Sequence, residues 1–72
     1  MNNLEQEVYL FLMVNQKVQF SQVCNFVHDK IPNEQRNSFD HYGPTYTIIN
    51  KLVKDGLVKH YIENGAGYVE IV

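Results

Sequence analysis

Cysteine is scarce in this 72-residue chain, which contains Cys24 and no other. A lone cysteine excludes an intramolecular disulfide framework, and the amino terminus lacks the basic segment, apolar core and small-residue cleavage site of a secretion signal. We therefore expect a reducing, cytoplasmic location. Long apolar runs are also missing, because the longest one, residues 8–14, is far below the ~18 residues of a membrane-spanning helix. The sequence predicts no membrane span.

Basic residues are too few for a strongly basic nucleic-acid binder. Six Lys and Arg stand against eight Asp and Glu, which gives a net charge of −2. A domain built on a large positive patch carries a clear excess of Lys and Arg instead. The acidic excess lies in residues 1–40, whereas Lys51, Lys54 and Lys59 lie close together with Asp55 as their nearest acidic neighbour. Positive charge is therefore concentrated in the carboxyl-terminal half.

Length limits the chain to one small domain over residues 1–72. A chain of about 60 residues buries only about 60% of its unfolded surface, so a deep cavity that encloses a large cofactor is not expected. We predict no cofactor. The hydrophobic fraction of 44% is that of an ordinary globular protein and argues against disorder.

Two helices are predicted before residue 31. Asn3 is a suitable cap for a first helix that ends near Asn15. A short extended piece at residues 17–20 follows, and Ser21 caps a second helix over residues 21–30. Pro32 stops that helix, and the polar residues 32–43 are typical of a loop, in which Phe39 is the expected anchor to the core.

A third helix and a β-hairpin are predicted in the remaining residues. Pro44 suits a first helical position, and Asp55-Gly56 ends the helix. Its inward stripe is predicted to be Ile48, Ile49, Leu52 and Val53. The apolar stretches 57–63 and 68–72 flank Asn64-Gly65, which is the strongest short-range hairpin signal.

This order of elements is similar to that of the winged helix-turn-helix family. The stretch Leu-Val-Lys-Asp-Gly-Leu-Val at residues 52–58 resembles the L-x-x-x-G-L-V junction between recognition helix and wing in MarR-like and PadR-like transcription regulators. The resemblance implies a small α+β winged helix-turn-helix fold. Three helices are followed by a carboxyl-terminal hairpin wing, with a short strand between the first two helices.

The resemblance also implies a DNA-binding surface, because the family places the outward face of the third helix in the major groove. Asn50 then suits an adenine edge, whereas lysines suit phosphates or guanine. The implied DNA-binding residues are Thr45, Tyr46, Thr47, Asn50, Lys51, Lys54 and Lys59. An ordinary solvated helix face has a similar composition, so the residue types do not decide between the two interpretations.

Two functions follow from this interpretation. The first is a transcription regulator that binds double-stranded DNA as a homodimer. The alternative is a protein-binding winged helix, of the kind that phage and mobile-element proteins use to block a host protein. Tyr46, the loop around Phe39 and the acidic first half of the chain would then form the contact. The alternative draws support from the predicted wing, whose turn has no Lys or Arg and lies between Glu63 and Glu70.

The apolar pattern of the first helix predicts which residues form the homodimer interface. After one apolar stripe is assigned to the core, a second apolar stripe remains on this helix, and we expect Tyr9, Leu10 and Met13 to form the dimer interface. The alternative is a helix that packs on two sides within one chain.

Metal binding and catalysis are not predicted. Cys24 and His28 lie four residues apart, and His41 and His60 are remote, whereas structural zinc sites bring paired ligands from two tight spacings. Cys24 and a His also lack the orienting third group of a nucleophile and base pair. We expect Cys24 to be a buried packing residue and the protein not to be an enzyme.

Overall fold

The computed structural model describes residues 3–30 and 42–72. These residues form three helices and a three-stranded antiparallel sheet. The elements are α1 (Asn3–Asn15), β1 (Lys17–Gln19), α2 (Phe20–Lys30), α3 (Tyr42–Lys54), β2 (Val58–Glu63) and β3 (Ala66–Ile71). The strand order is β1-β3-β2, with Val69 of β3 opposite Val18 of β1 and His60 of β2.

The α+β class, the short strand after α1 and the carboxyl-terminal hairpin are confirmed. The hairpin turn has positive φ angles at Asn64 (53°) and Gly65 (80°), which is the conformation that an Asn-Gly pair favours. The start of α3 was predicted two residues too late. Gly43 and Pro44 lie inside its first turn, where amide hydrogens need no acceptor within the helix. The rest of the predicted loop, including Phe39 and His41, lies outside the described residues.

The core lies where the three helices pack on one face of the sheet. Fully buried side chains come from every layer: Val8 and Leu12 of α1, Val23 and Val27 of α2, Thr45, Ile49 and Leu52 of α3, and Val69 of β3. Within the described ranges, no helix has the length and apolar character needed to cross a membrane.

The inward stripe of α3 differs from the predicted one at both of its ends. Thr45 is fully buried and Val53 is 40% exposed, so the placement of Thr45 outward and of Val53 inward was wrong. The buried positions 45, 48, 49 and 52 follow the i, i+3, i+4, i+7 spacing of a helical face, and position 53 lies beside that face. The Thr45 side chain lies close enough to Cys24 on α2 to lower the pKa of that thiol.

Gly56 ends α3 in a left-handed conformation with a φ of 77°. The Gly56 amide donates to the Val53 carbonyl at 3.0 Å, and the Leu57 amide donates to the Leu52 carbonyl at 3.0 Å. This pair of bonds is the Schellman motif, which satisfies the last helical carbonyls and turns the chain into β2.

Gly56→Ala should lower the free energy of unfolding by about 1–2 kcal/mol, the cost of a side chain at positive φ. No atom lies within 4 Å of a Cβ built at Gly56, so the cost comes from the backbone and not from a clash. Urea unfolding measures the change. Gly56→Asn is the matched control and should lose less, because Asn tolerates this conformation. Equal stability of the wild type and the Ala variant would contradict the account.

Candidate functional site

The outward face of α3 carries a polar stripe that runs most of its length. Thr47, Asn50, Lys51 and Lys54 are all exposed, and their spacing places them on one side of the helix. The Thr47 hydroxyl donates to the carbonyl oxygen of Gly43 at 3.0 Å. The structure therefore brings together four of the residues predicted to bind DNA; we call them the α3 stripe.

The two lysines of the α3 stripe are in different electrostatic surroundings. Lys51 Nζ lies 3.6 Å from Oε2 of Glu5, a carboxylate on α1 that is only 7% exposed. Lys54 forms no ion pair with any described residue. The charge of Lys54 is therefore more available to an external anion than that of Lys51, which Glu5 partly balances within the chain.

Tyr46 lies at the start of α3 in a groove between this helix, α2 and the hairpin. Its ring centroid is 4.6 Å from that of Phe20, which in turn stacks on His60 at 4.9 Å with an interplanar angle of 10°. The groove has a volume of about 560 Å³, and Ile62 and Gly67 of the hairpin also line it. We call these five residues the aromatic groove. Tyr46 is 45% exposed and Ile62 is 77% exposed, so the groove presents apolar surface to solvent beside the α3 stripe.

Lys59 lies on the other face of the sheet. It stands opposite Glu70 in the hairpin register, and its Nζ is 3.8 Å from Oε1 of that residue. Side chains alternate between the two faces of a strand, and the neighbouring Val58 is buried in the core. The sequence-based grouping of Lys59 with Lys51 and Lys54 is therefore not reproduced, because Lys59 points away from the helices.

A hydrogen-bonded cluster surrounds Lys59 on this outer face of the sheet. The Tyr61 hydroxyl donates to Oε1 of Glu70 at 2.6 Å. This bond lowers the pKa of Glu70 and raises the pKa of Tyr61. A hydrogen bond to Tyr61 and pairing with Glu63, whose Oε1 is 3.4 Å away, raise the pKa of Lys17. The charges of the hairpin are thus largely compensated within the chain.

Tyr61→Phe should move the pKa of Glu70 up toward its ordinary value, because the hydrogen bond to the ionised carboxylate is the largest cause of its low pKa. A lowered folded-state pKa stabilises the fold above the unfolded-state pKa, and this contribution is lost as the pH falls through the folded-state pKa. The variant should therefore be less stable than the wild type at neutral pH, and the difference should shrink in acid. NMR titration of Glu70 and urea unfolding across pH measure both effects.

Tyr68→Phe is the matched control for this prediction. The Tyr68 ring stacks on the Tyr61 ring with centroids 6.1 Å apart. The hydroxyl that donates to the Glu70 carboxylate, however, is that of Tyr61. The pKa of Glu70 should stay low in the control. An equal shift of the Glu70 pKa in both variants would show that the hydroxyl of Tyr61 is not its cause.

Cys24 is buried, as the sequence predicted. Removal from water raises the pKa of its thiol, and the hydrogen bond from Thr45 opposes this only in part. A buried thiol with a raised pKa is a poor nucleophile and metal ligand. Among residues 3–30 and 42–72, no three His, Cys, Asp or Glu side chains lie close enough together to hold a metal ion.

The three residues predicted for the dimer interface lie in different surroundings on α1. Leu10 is 59% exposed and Met13 is 45% exposed, whereas Tyr9 is partly buried against the core. Val14 is 82% exposed and was not among the predicted interface residues. It belongs to the same apolar run, and its omission left out the most exposed member of that run.

The aromatic groove was not predicted from the sequence. Phe20, Tyr46 and His60 come from three different elements, and no spacing along the chain shows that their rings meet. Only the alternation of β2 carried a signal, because it places His60 and Ile62 on one face of the strand.

Comparisons of the chain with protein-family models, with curated proteins and with solved structures find no match. The basis for a function is therefore the geometry of α3 and the hairpin.

Proposed function

We propose that the chain is a winged helix-turn-helix protein that binds double-stranded DNA and regulates transcription as a homodimer. In this proposal α3 is the recognition helix and the β2–β3 hairpin is the wing. The observation that carries the proposal is the α3 stripe, an exposed set of Thr, Asn and Lys side chains on the helix next to the hairpin. Side chains of these types make most contacts to phosphates and base edges.

Each residue of the α3 stripe has a distinct role in this proposal. Asn50, near the middle of the exposed face, pairs with the N6 and N7 edge of an adenine. Lys54 neutralises a phosphate, and Lys51 contributes less because Glu5 lies 3.6 Å away. The Tyr46 hydroxyl near the helix start suits a phosphate oxygen, which fixes the position of the helix in the groove. The Thr47 hydroxyl already donates to the Gly43 carbonyl and offers DNA only its acceptor oxygen. Thr45 has no direct role because it is fully buried.

Two copies of the chain are needed because one copy offers few cations to DNA. Lys51 and Lys59 lie next to carboxylates, and DNA affinity depends strongly on the number of neutralised phosphates. A two-fold dimer doubles these contacts and places two recognition helices on two half-sites about one helical turn apart. We therefore expect the preferred site to be an inverted repeat.

Selection from a pool of random-sequence duplexes tests the proposal. We expect repeated rounds of binding and recovery to enrich an inverted repeat, and the affinity for it to fall as salt rises. Recovery of a pool with no enriched sequence, together with no affinity for any duplex at low salt, would contradict the proposal.

A protein-binding winged helix is the second candidate, and the aromatic groove is the observation that favours it. The described residues that line the groove include no Asp, Glu, Lys or Arg, and Ile62 and Tyr46 offer exposed apolar contact area. Partly exposed aromatic residues are frequent hot spots in protein interfaces. In this candidate Tyr46→Ala weakens function more than Lys54→Ala does, whereas the DNA-binding proposal gives Lys54 the larger effect on affinity for duplexes in general. This ordering separates the two functions.

A further inference from the structure

A second groove lies between α1 and α2. Leu10, Phe11 and Val14 of α1 and Phe26 of α2 line its floor, and its volume is about 330 Å³. The rings of Phe11 and Phe26 stack with centroids 4.6 Å apart and an interplanar angle of 17°. We call these four residues the α1–α2 groove.

Exposed apolar side chains of α1 cluster at this groove. Val14 is 82% exposed and Leu10 is 59% exposed, and Met13, which lies next to Leu10 on α1 but does not line the groove, is 45% exposed. Of the other large exposed apolar side chains, Tyr46 and Ile62 line the aromatic groove, and Val53 and Val72 lie outside both grooves. Single exposed apolar residues are normal on a monomer, whereas a contiguous patch of them indicates an interaction surface.

The rim of the α1–α2 groove carries one charge of each sign. Glu7 and Lys30 both line the groove. Their side chains are 49% and 43% exposed, and Oε2 of Glu7 lies 4.0 Å from Nζ of Lys30. Nζ of Lys30 also lies 5.4 Å from the ring centroid of Phe26. Both charges therefore stay accessible at the edge of the apolar floor.

We propose that the α1–α2 groove binds a second copy of this chain in a two-fold dimer. An interface of this kind uses the same patch on both copies, so the patch must be complementary to itself. A rim with one carboxylate and one ammonium group meets that condition, because Glu7 of each copy can face Lys30 of the other while Leu10 and Val14 pack on the opposing Phe11 and Phe26. A partner with charge of one sign would leave either Glu7 or Lys30 facing a like charge.

This inference deepens the proposed function. The role of the dimer in DNA binding rests on the proposed function, whereas the formation of the dimer does not. The groove lies on α1 and α2 and includes no residue of α3. Dimerisation through it therefore leaves the α3 stripe of both copies uncovered. It also replaces the predicted interface of Tyr9, Leu10 and Met13 with one in which Val14 and the two phenylalanines take part.

Val14→Glu tests the inference by light scattering over a concentration series, without DNA. The expected result is a rise of at least about 30-fold in the dissociation constant of the dimer, which is the effect of losing an interface hot spot. Circular dichroism should show that the monomer stays folded, because Val14 is 82% exposed. Val72→Glu is the matched control, since it places the same charge at another valine, which is 76% exposed and lines neither groove, and its dimer should be unchanged.

A charge exchange tests the two-fold pairing at the rim. Glu7→Lys should weaken the dimer because two like charges then meet across the axis, and adding Lys30→Glu to the same chain should restore it. A wild-type protein that stays monomeric at all concentrations, or equal effects of Val14→Glu and Val72→Glu, would overturn the inference. A dimer that responds as expected but binds no duplex would support the inference and contradict the DNA-binding proposal.

Discussion

Leu52→Ala is expected to lower the free energy of unfolding by about 2–5 kcal/mol, the usual cost of truncating a fully buried leucine. Leu52 has no exposed surface and belongs to the core cluster of all three helices and the sheet. Its carbonyl also accepts the Leu57 amide in the turn after α3. At about 0.05–0.15 kcal/mol per residue, the 72-residue chain has a total stability of about 4–11 kcal/mol. The variant should therefore be close to its unfolding transition.

Val53→Ala is the matched control for this prediction. Val53 is the next residue on α3 but is 40% exposed, and substitutions at such surface positions usually change stability by less than about 0.5 kcal/mol. Urea unfolding of both variants measures the difference. Similar losses at residues 52 and 53 would mean that the helix packs in another rotation, with Val53 in the core as the sequence pattern alone indicated.

Asn50→Ala is expected to weaken binding to the preferred duplex by about 1–3 kcal/mol and to leave binding to unrelated duplexes nearly unchanged. The amide of Asn50 lies on the exposed face of α3, where it can make the paired hydrogen bonds that distinguish adenine. Loss of the Asn50 amide removes discrimination at one base pair in each half-site. It leaves the positive charge of the protein unchanged. Fluorescence titration against the selected site and against a scrambled duplex measures both affinities.

Asn25→Ala is the matched control, because Asn25 is an exposed asparagine on α2 and lies outside the α3 stripe. The control should bind the preferred site like the wild type. If Asn50→Ala weakens binding to both duplexes equally, Asn50 does not read a base and contributes only to general affinity.

Local sequence signals predicted most of the fold. The predicted ends of α1, Asn3 and near Asn15, agree with the observed helix. Asn64-Gly65 formed the turn that its residue types favour, with both φ angles positive. Gly56 ended α3 for the same reason. These features depend on backbone preferences within a few residues, and the sequence contains all the information that they need.

Side-chain placement in α3 was predicted less well, because apolar character alone does not identify the inward face of this helix. Thr45 occupies the position that completes the buried stripe, and its side chain lies near Cys24 on another helix. Val53 is apolar but lies beside the stripe and is exposed. Which side chains of two helices meet depends on tertiary packing, which the helical period alone does not contain.

The candidate site was predicted in part, and the remainder depends on long-range pairing. Asn50, Lys51 and Lys54 are exposed on one helix as expected. The partner of Lys51, Glu5, lies on α1, and the partner of Lys59, Glu70, lies across the hairpin. Pairs of this kind between distant residues reduce the positive charge that the three lysines offer together.

The central claim is that the α3 stripe binds the phosphates and bases of duplex DNA, and the salt dependence of binding by Lys54→Gln tests it most directly. Lys54 forms no ion pair among the described residues, so its removal should weaken binding to every duplex. The slope of log affinity against log salt should fall by about one unit for each phosphate that the variant no longer neutralises. Lys17→Gln removes the same charge from the outer face of the sheet, where Lys17 pairs with Glu63, and should keep the wild-type slope. A wild-type protein without salt-dependent affinity for any duplex, or equal slopes in Lys54→Gln and Lys17→Gln, would contradict the account.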